Sequence, residues 1–362
     1  MPTEISDWHD LDNVRNDLSG EYVLVNDLNS ETDGYAGIGD DFEPIGFIEG
    51  SDVTSEFGGS FDGGGFEIGD LVIDKQNLDA GDIGVFASTD TGALIENLAV
   101  EGSIITNERL VGGLVGHKDG GTIQNCAIHV DVTALGVEFV GGVVGRDVGG
   151  TITDSYATGS VEGDERVGGL VGYNGVTITD SYATGSVEGD DQVGGLVGNN
   201  DAPITDSYAT GSVEGDSRVG GLVGRQRGTI ETSYAVASVT GNTDVGGLVG
   251  SISDSTEIDS YWDTESTGQS TSGGDATGLT TVEMQGSEAE TNMGGFDFAD
   301  VWDSVVDSDD DTTADGYPIL LAVDRENQLN SQGILDPPDP IIVDGVEYDL
   351  LVDGVVYDVI ID

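Results

Sequence analysis

Four tyrosines recur at one position of a repeated segment, and aromatic rings arranged in this way can bind sugars. The segment Ser-Tyr-Ala-Thr-Gly-Ser-Val-Glu-Gly begins at Ser155, Ser181 and Ser207, and a shortened copy begins at Ser233. If the copies stack, their rings form an exposed, outward-facing ladder suited to a polymeric glycan. The alternative, which we favour, is that the rings only cover neighbouring strands and stabilise the sheet by same-face pairing. The candidate glycan-binding residues are Tyr156, Tyr182, Tyr208 and Tyr234.

Carboxylates recur beside the tyrosines and could hold hard cations such as Ca²⁺ or Mg²⁺. One predicted ladder comprises Asp154, Asp180, Asp206 and Glu231, and a second, at a turn, comprises Asp164, Asp190 and Asp216. A solvated acidic surface explains both ladders better, because no Asp-x-Asp-x-Asp loop occurs within the repeats. The best local candidates for metal ligands are Asp307, Asp309, Asp310 and Asp311.

Paired carboxylates could also hydrolyse a polysaccharide, if one had a raised pKa and the two lay at a set separation. Here the acids recur in every repeat, whereas an active site would be a unique departure from it. His9, His117 and His129 lie in different elements, and neither Lys nor a helix follows the Gly-rich segments, as a phosphate loop requires. The sequence therefore predicts no catalytic residue, no enzyme and no certain cofactor.

Internal repetition predicts the elements that position these residues. GGLVG or GGVVG begins at Gly112, Gly141, Gly168, Gly194, Gly220 and Gly246, at intervals of 29, 27, 26, 26 and 26 residues. A 26-residue unit of short β-branched runs is too brief for a βαβ unit and lacks helical periodicity. Each unit is therefore interpreted as one turn of an all-β, right-handed parallel β-solenoid, whose rungs lie about 4.8 Å apart.

Alternation along the strands assigns the two faces of each turn. It predicts an interior built from Ser155, Ala157, Gly159, Val161, Val167, Leu170 and Val171, with Tyr156 pointing outward. The paired glycines should lie where the tube turns or where backbones approach closely; they are Gly112, Gly113, Gly141, Gly142, Gly168, Gly169, Gly194, Gly195, Gly220, Gly221, Gly246 and Gly247. Arg109, Arg166 and Arg218 recur beside these strands and are expected to pair with acids such as Glu165 or Asp216.

Four segments are predicted along the chain. Residues 1–56 form an N-terminal cap with a short helix and entry strands, and residues 57–262 form the repeats. Residues 263–335 form a C-terminal cap, in which Phe296, Phe298 and Trp302 plug the end of the rod. Residues 336–362 form a Pro-rich linker and a small β tail, which is too short for its own core and is expected to mediate attachment or oligomerisation.

The charge of the chain limits its partners. Asp and Glu number 70 against 10 Lys and Arg, giving a formal net charge of −60. Such a surface suits molar K⁺ or Na⁺, where the Debye length falls to about 3 Å. Nucleic acid and anionic membrane surfaces are disfavoured as partners, because no cationic stripe is apparent. The single cysteine, Cys126, excludes an internal disulfide, and we expect neither a signal peptide nor a transmembrane segment.

The repeats resemble the GLUG-repeat family. The resemblance rests on the GGLVG copies, the Ser-Tyr-Ala-Thr-Gly-Ser-Val block and the final Ser-Tyr-Trp-Asp-Thr-Glu-Ser-Thr-Gly-Gln at 260–269, and it covers most of residues 10–320. It implies a surface or adhesin-like solenoid without catalytic residues, and its acid-rich form is similar to those of halophilic archaea and their viruses.

The resulting hypothesis is a halophilic, non-enzymatic surface protein. It would be a spike, tail fibre or turret component of a virion that attaches to host glycans or to a surface layer. The tail would contact virion or cell-surface proteins, and the chain would form a homo-oligomer on a virion surface or outside the cell. The alternatives are a cellular adhesin or surface-layer-associated protein and, third, a polysaccharide-degrading β-helix enzyme.

Overall fold

The chain winds into a parallel β-solenoid with three sheets running along its length. The structure, a computed structural model, describes residues 1–46, 55–76, 81–253, 256–305, 316–323, Gln328 and the strands Leu350–Val352 and Val355–Tyr357. Sheets 2 and 3 contain seven strands each, so the rod has about seven turns. The all-β solenoid predicted from the repeats is confirmed.

Sheet 1 has 21 strands: Thr3–Ile5, Glu21–Leu24, Ser60–Asp62, Glu67–Lys75, Leu94–Glu96, Ala99–Thr106, Thr122–Gln124, Ala127–Ala134, Thr151–Thr153, Tyr156–Ala157, Val161–Glu162, Thr177–Ala183, Val187–Glu188, Ile204–Ala209, Val213–Glu214, Thr229–Glu231, Tyr234–Ala235, Val239–Thr240, Thr256–Ile258, Tyr261–Asp263 and Thr277–Leu279. Sheet 2 comprises Asp82–Ile83, Leu110–Gly112, Val140–Gly141, Glu165–Gly168, Asp191–Gly194, Ser217–Gly220 and Thr243–Gly246. Sheet 3 comprises Phe86–Thr89, Val115–Lys118, Val144–Asp147, Val171–Asn174, Val197–Asn200, Val223–Gln226 and Val249–Ile252.

The remaining elements are few. The α-helices are Trp8–Asn13 and Gly286–Asn292, and the 3₁₀ helices are Val14–Asn16, Gly39–Asp41 and Val282–Met284. Two antiparallel pairs join Trp302–Asp303 to Ile319–Leu320, and Leu350–Val352 to Val355–Tyr357. None of the described helices is long and apolar enough to cross a membrane.

Equivalent residues of successive repeats are direct strand partners. Tyr156 pairs with Tyr182, and Val167 pairs with Val193, so each 26-residue step returns the chain to the same place one rung along. Ser155, Ala157 and Val161 are buried, as predicted from alternation. The same holds for the residues that close the interior from the other side, Val167, Leu170 and Val171.

Polar groups in the interior form hydrogen bonds with equivalent residues of the next turn. The backbone N–H of Ser155 donates to the Ser181 hydroxyl at 3.4 Å, and that of Ser181 donates to the Ser207 hydroxyl at 3.4 Å. Cys126, which lies among these residues, is buried, and burial raises the pKa of its thiol to about 12. We therefore interpret it as a packing residue with little thiolate character.

The glycine pairs occupy the corner between sheets 2 and 3. The first glycine ends six of the seven sheet 2 strands, and the second begins the turn into sheet 3. A Cβ on Gly169 would overlap the carbonyl oxygen of Gly195, and one on Gly195 would overlap that of Gly221. The predicted close approach of neighbouring backbones is confirmed, and it leaves no space for a side chain.

A second polar column, which the sequence did not suggest, runs inside sheet 3. Its members are buried and are direct strand partners: Lys118, Asp147, Asn174, Asn200 and Gln226. The Lys118 ammonium lies 3.1 Å from the Asp147 carboxylate, and the Asn174 amide donates to Asn200 at 2.7 Å. Burial lowers the pKa of Lys118 and raises that of Asp147, each opposed by the partner's charge.

The N-terminal cap contains the predicted helix and strand. Asp7 caps helix Trp8–Asn13 by accepting a hydrogen bond from the Asp10 backbone, and Trp8 and Leu11 are buried. The strand Thr3–Ile5 pairs in parallel with Glu21–Leu24, which pairs in turn with Ser60–Asp62. Parallel pairing in sheet 1 therefore begins at Thr3.

The aromatic residues downstream of the repeats do not plug the end of the rod as predicted. The last turn is instead bonded by a loop, in which Thr271 accepts from the Gly247 backbone at 3.0 Å and Ser272 accepts from that of Val249 at 2.9 Å. Phe296 and Trp302 lie against the side of sheet 1. Of residues 336–362, only the short antiparallel pair is described, so the role of the tail stays a prediction.

Candidate functional site

The tyrosine column stacks along the rod axis. Successive rings from Tyr156 to Tyr234 are nearly parallel, with interplanar angles of 4°, 8° and 3°. Their centroids are 4.7, 4.9 and 5.0 Å apart, which matches the spacing between strands. Each inner ring therefore has both faces occupied by its neighbours.

The prediction that this column is exposed was wrong. A C-terminal cover, residues 280–305 and 316–323, lies over the rings and buries them. Trp302 packs 5.7 Å from Tyr234, whose hydroxyl donates to the Pro318 carbonyl oxygen at 2.5 Å. The Tyr208 hydroxyl donates to Gln328 at 3.0 Å. Because burial raises the pKa of Tyr208 and Tyr234 well above the ordinary value, these phenols stay neutral and serve packing.

Asp263 connects the cover to the last turns. Its carboxylate accepts from the Tyr317 hydroxyl at 2.5 Å, the Thr281 hydroxyl at 2.7 Å and the Ser266 hydroxyl at 2.8 Å. Although burial alone would raise the pKa of Asp263, these bonds hold it below its ordinary value of 3.8. The cover is therefore docked by an ionised carboxylate as well as by apolar contact.

The acidic ladders differ from prediction at one position. Glu231 pairs with Thr205, and Thr232 instead occupies the position beside Asp206. Asp154, Asp180, Asp206 and Thr232 have left-handed φ angles of 48°, 48°, 47° and 44°, a conformation that Asp tolerates better than most residues. No group of three or more His, Cys, Asp or Glu residues within the described ranges could hold a metal ion. The candidate ligands Asp307, Asp309, Asp310 and Asp311 lie outside those ranges.

A different surface, which we name the junction strip, lies along the outer junction of sheets 2 and 3. Sheet 3 contributes the residue that follows each GGLVG copy: His117, Arg146, Tyr173, Asn199, Arg225 and Ser251. Sheet 2 and the residues leading into it contribute the residue before each Val-Gly-Gly: Leu110, Phe139, Arg166, Gln192, Arg218 and Asp244. Four of the latter have φ between 52° and 57°.

Side chains from the two sheets meet across this strip. The Asn199 amide donates to Gln192 at 2.6 Å, and the rings of Phe139 and Tyr173 are 6.3 Å apart in an edge-to-face arrangement. The Arg146 guanidinium lies 5.7 Å from the centre of the Tyr173 ring. The strip is therefore one continuous surface built from alternate sheets.

Most of the cations of the chain lie at or beside this strip. Of the 10 Lys and Arg residues, four belong to the strip, namely Arg146, Arg166, Arg218 and Arg225, and two more, Arg109 and Arg227, lie close to its members. Some pair with acids, as Arg166 does with Glu138 at 3.0 Å and with Glu165 at 3.6 Å. Arg218 pairs with Asp191, one turn away, and not with the expected Asp216.

His117 lies at the upstream end of the strip between charged groups. Its Nε2 is 3.2 Å from Asp119 and 2.9 Å from an Arg146 nitrogen, and its Nδ1 is 3.8 Å from Asp82. Burial raises the pKa of Asp82 to about 6 and lowers that of His117. Sequence reasoning missed this cluster because its members come from separate turns.

The repeats did contain a signal for the strip. The residue after GGLVG changes type from turn to turn, while the motif itself barely changes. A position that varies inside an otherwise uniform array is where individual turns can differ in what they contact. The candidate site was predicted from the repeated tyrosines, and the variable position after GGLVG was not considered.

Comparison with known proteins identifies the repeats. The family model of the GLUG motif matches residues 163–188 and 189–214. Halomucin of Haloquadratum walsbyi is 32% identical over 151 residues, covering 42% of this chain and 1% of halomucin. A proposed Gly-rich membrane protein of Evansella cellulosilytica is 37% identical over 171 residues, covering 45% of this chain and 19% of that protein. The chain thus spans a small part of the length of either relative.

A solved structure shares the fold. It is a proposed immunoglobulin A1 protease from Bacteroides ovatus, with a TM-score of 0.51 and 17% sequence identity, covering 89% of this chain and 93% of that one. At this identity the likeness concerns the path of the backbone alone. The chain therefore carries GLUG-motif repeats, each forming one turn of a parallel β-solenoid.

Proposed function

We propose that this chain is a salt-adapted, non-enzymatic rod on an extracellular surface, where it provides both structure and recognition. The observation that carries this proposal is the stack of about seven turns among the described residues, in a chain whose formal net charge is −60. Such a stack is extended and stiff, and its charge is tolerated where salt screens it. The likeness to halomucin, from a haloarchaeon, supports the same environment.

Salt dependence tests the environment. The midpoint of thermal unfolding should rise steeply between 0.2 M and 3 M KCl, because screening removes repulsion among carboxylates. A net-neutral β-solenoid measured in parallel is the control for general salt effects. Equal slopes for the two proteins would contradict salt adaptation.

Within this class we propose a virion spike, tail fibre or turret component that attaches to host glycans or a surface layer. A cellular adhesin or surface-layer-associated protein is the second candidate, which the likeness to halomucin favours. Immunogold labelling of purified virions and of uninfected cells distinguishes them. Label confined to uninfected cell surfaces would exclude the virion.

The C-terminal tail is proposed as the attachment or oligomerisation element. A chain ending at residue 335 should elute as a monomer in molar salt, whereas the full chain should elute as an oligomer. A rise in the midpoint of thermal unfolding on addition of Ca²⁺ or Mg²⁺, absent when Asp307, Asp309, Asp310 and Asp311 are replaced by Asn, would show that these residues bind a cation. A monomeric full chain would contradict the proposed homo-oligomer.

The enzymatic alternative rests on the cluster at His117, where Asp82 has a raised pKa. A hydrolase would release reducing ends from an acidic polysaccharide in molar salt, and Asp82→Asn would abolish that release. We expect no release by either protein. Turnover by the wild type that the variant lacks would overturn the non-enzymatic assignment.

A further inference from the structure

The junction strip contains polar groups that are arranged for a ligand. Asn199 is buried, and its amide nitrogen donates a hydrogen bond to Gln192. Its Oδ1, however, has no hydrogen-bond donor among the described residues. An unpaired buried oxygen is costly, because it has lost water without gaining a partner. A donor supplied from outside the chain would satisfy it.

A cation lies next to this oxygen in the strip. Arg225 is the direct strand partner of Asn199 and is partly exposed. Within the described ranges Arg225 has no ion pair, whereas Arg218 and Arg227 pair with Asp191 and Asp201. Burial lowers the pKa of Arg225, and the nearby Arg227 and Arg218 lower it further, whereas Asp201 raises it. An anionic group that reached Arg225 would therefore meet a guanidinium that has no ion pair among the described residues.

We propose that Asn199 and Arg225 bind an acidic sugar residue of a polysaccharide. The sugar's carboxylate or sulfate would accept hydrogen bonds from the Arg225 guanidinium, and a neighbouring hydroxyl would donate to Asn199 Oδ1. An acidic sugar supplies the anion and the donor together. The backbone of DNA supplies acceptors only, and would leave the Asn199 oxygen unpaired.

The charge of the rest of the chain shapes this interaction. At −60 the surface repels polyanions at low salt, so contact requires the screening that molar salt provides. The Arg225 guanidinium can then bind an anionic group through a planar, bidentate pair of hydrogen bonds. Binding should therefore persist in molar salt and weaken when salt is removed.

This inference deepens the proposed recognition role and rests on it for the presence of glycans. Binding is measured by isothermal titration in 2 M KCl with three probes: polygalacturonate, neutral dextran and single-stranded oligothymidylate. We expect binding of polygalacturonate only. Arg225→Gln and Asn199→Ala should each weaken it about tenfold, the value of one charge-assisted or buried hydrogen bond.

Arg15→Gln is the matched control, because it removes one positive charge from the N-terminal cap, away from the strip. It should leave affinity unchanged, and thermal unfolding of each variant confirms that the rod is intact. Equal loss in Arg15→Gln, no loss in either strip variant, or oligothymidylate binding as tightly as polygalacturonate would each overturn the assignment. Failure of binding with salt-dependent stability intact refutes this site alone, whereas loss of both refutes the proposed function.

Discussion

Two outer faces of the rod differ in whether the residue type is repeated from turn to turn. Along the tyrosine column the same residue recurs from Tyr156 to Tyr234, and the C-terminal cover buries the rings. Along the junction strip the residue changes from turn to turn, and side chains such as Arg225 stay partly exposed. A residue type that is the same in every turn indicates packing here, because identical side chains stack on one another and one continuous segment can cover them. Variation indicates a surface where each turn can make its own contact.

The largest expected effect comes from the glycine corner between sheets 2 and 3, on which the stacking of the turns depends. Gly195→Ala places a Cβ on the Gly221 carbonyl oxygen, so neighbouring turns must separate. We expect a loss of more than about 4 kcal/mol in the free energy of unfolding, or failure to fold. Gly69→Ala, where a Cβ would meet its nearest atom at 3.6 Å, is the control. Similar stability of the two variants in denaturant unfolding would show that the corner has space.

A matched pair of tyrosines separates the two faces directly. Tyr208→Ala removes a buried, stacked ring from beneath the cover and should cost about 3–5 kcal/mol. Tyr173→Ala removes a partly exposed ring and one hydrogen bond, of 3.0 Å to Asp201, and should cost about 1 kcal/mol. Denaturant unfolding in molar KCl measures both. Equal costs would erase the distinction between the faces.

The docking of the cover should depend on pH through Asp263. Since its folded pKa lies below the ordinary 3.8, the carboxylate contributes stability above that pH. This contribution is lost as pH falls through the folded pKa. Asp263→Asn should cost about 2 kcal/mol at pH 7 and progressively less below pH 4. Thermal unfolding of both proteins from pH 7 to pH 2 gives the difference, and a constant difference would contradict this role.

The smallest effect is expected at the strip. Arg225→Gln should change the free energy of unfolding by no more than about 0.5 kcal/mol, because its guanidinium has no ion pair to lose within the described residues. Denaturant unfolding, with Arg218→Gln for comparison, measures this. Because Arg218 donates to Asp191 at 2.6 Å, its replacement should cost more. A larger loss in Arg225→Gln would make that residue a structural one.

The sequence predicted the solenoid well because repetition fixes register. Successive 26-residue units can stack only with like beside like, which placed Ala157, Val161 and Leu170 correctly in the interior. Alternation alone could not show that the outward tyrosines are covered. The cover comes from Phe296 and Trp302, far along the chain, and no periodicity connects those residues to the rings.

The site was harder to predict for the same reason. Asp82 and His117 belong to different turns, and their proximity depends on register in the irregular upstream repeats. Lys118 would be expected at the surface, but its pairing with Asp147 keeps it inside. Partnerships of this kind depend on single residues that interrupt the repeat, so a pattern of recurrence does not show them.

The cover also constrains how the rod can change in length. The Tyr234 hydroxyl donates to Pro318 of the cover and the Tyr261 hydroxyl donates to Gly294 of the cover, so the cover is bonded to successive turns at set intervals. Deleting or duplicating one internal 26-residue unit would leave the stacked interior almost unchanged, but the cover could no longer meet its partners. The length of the cover thus fixes the number of turns beneath it. An inserted or lost repeat would be tolerated only with a matching change in the C-terminal segment.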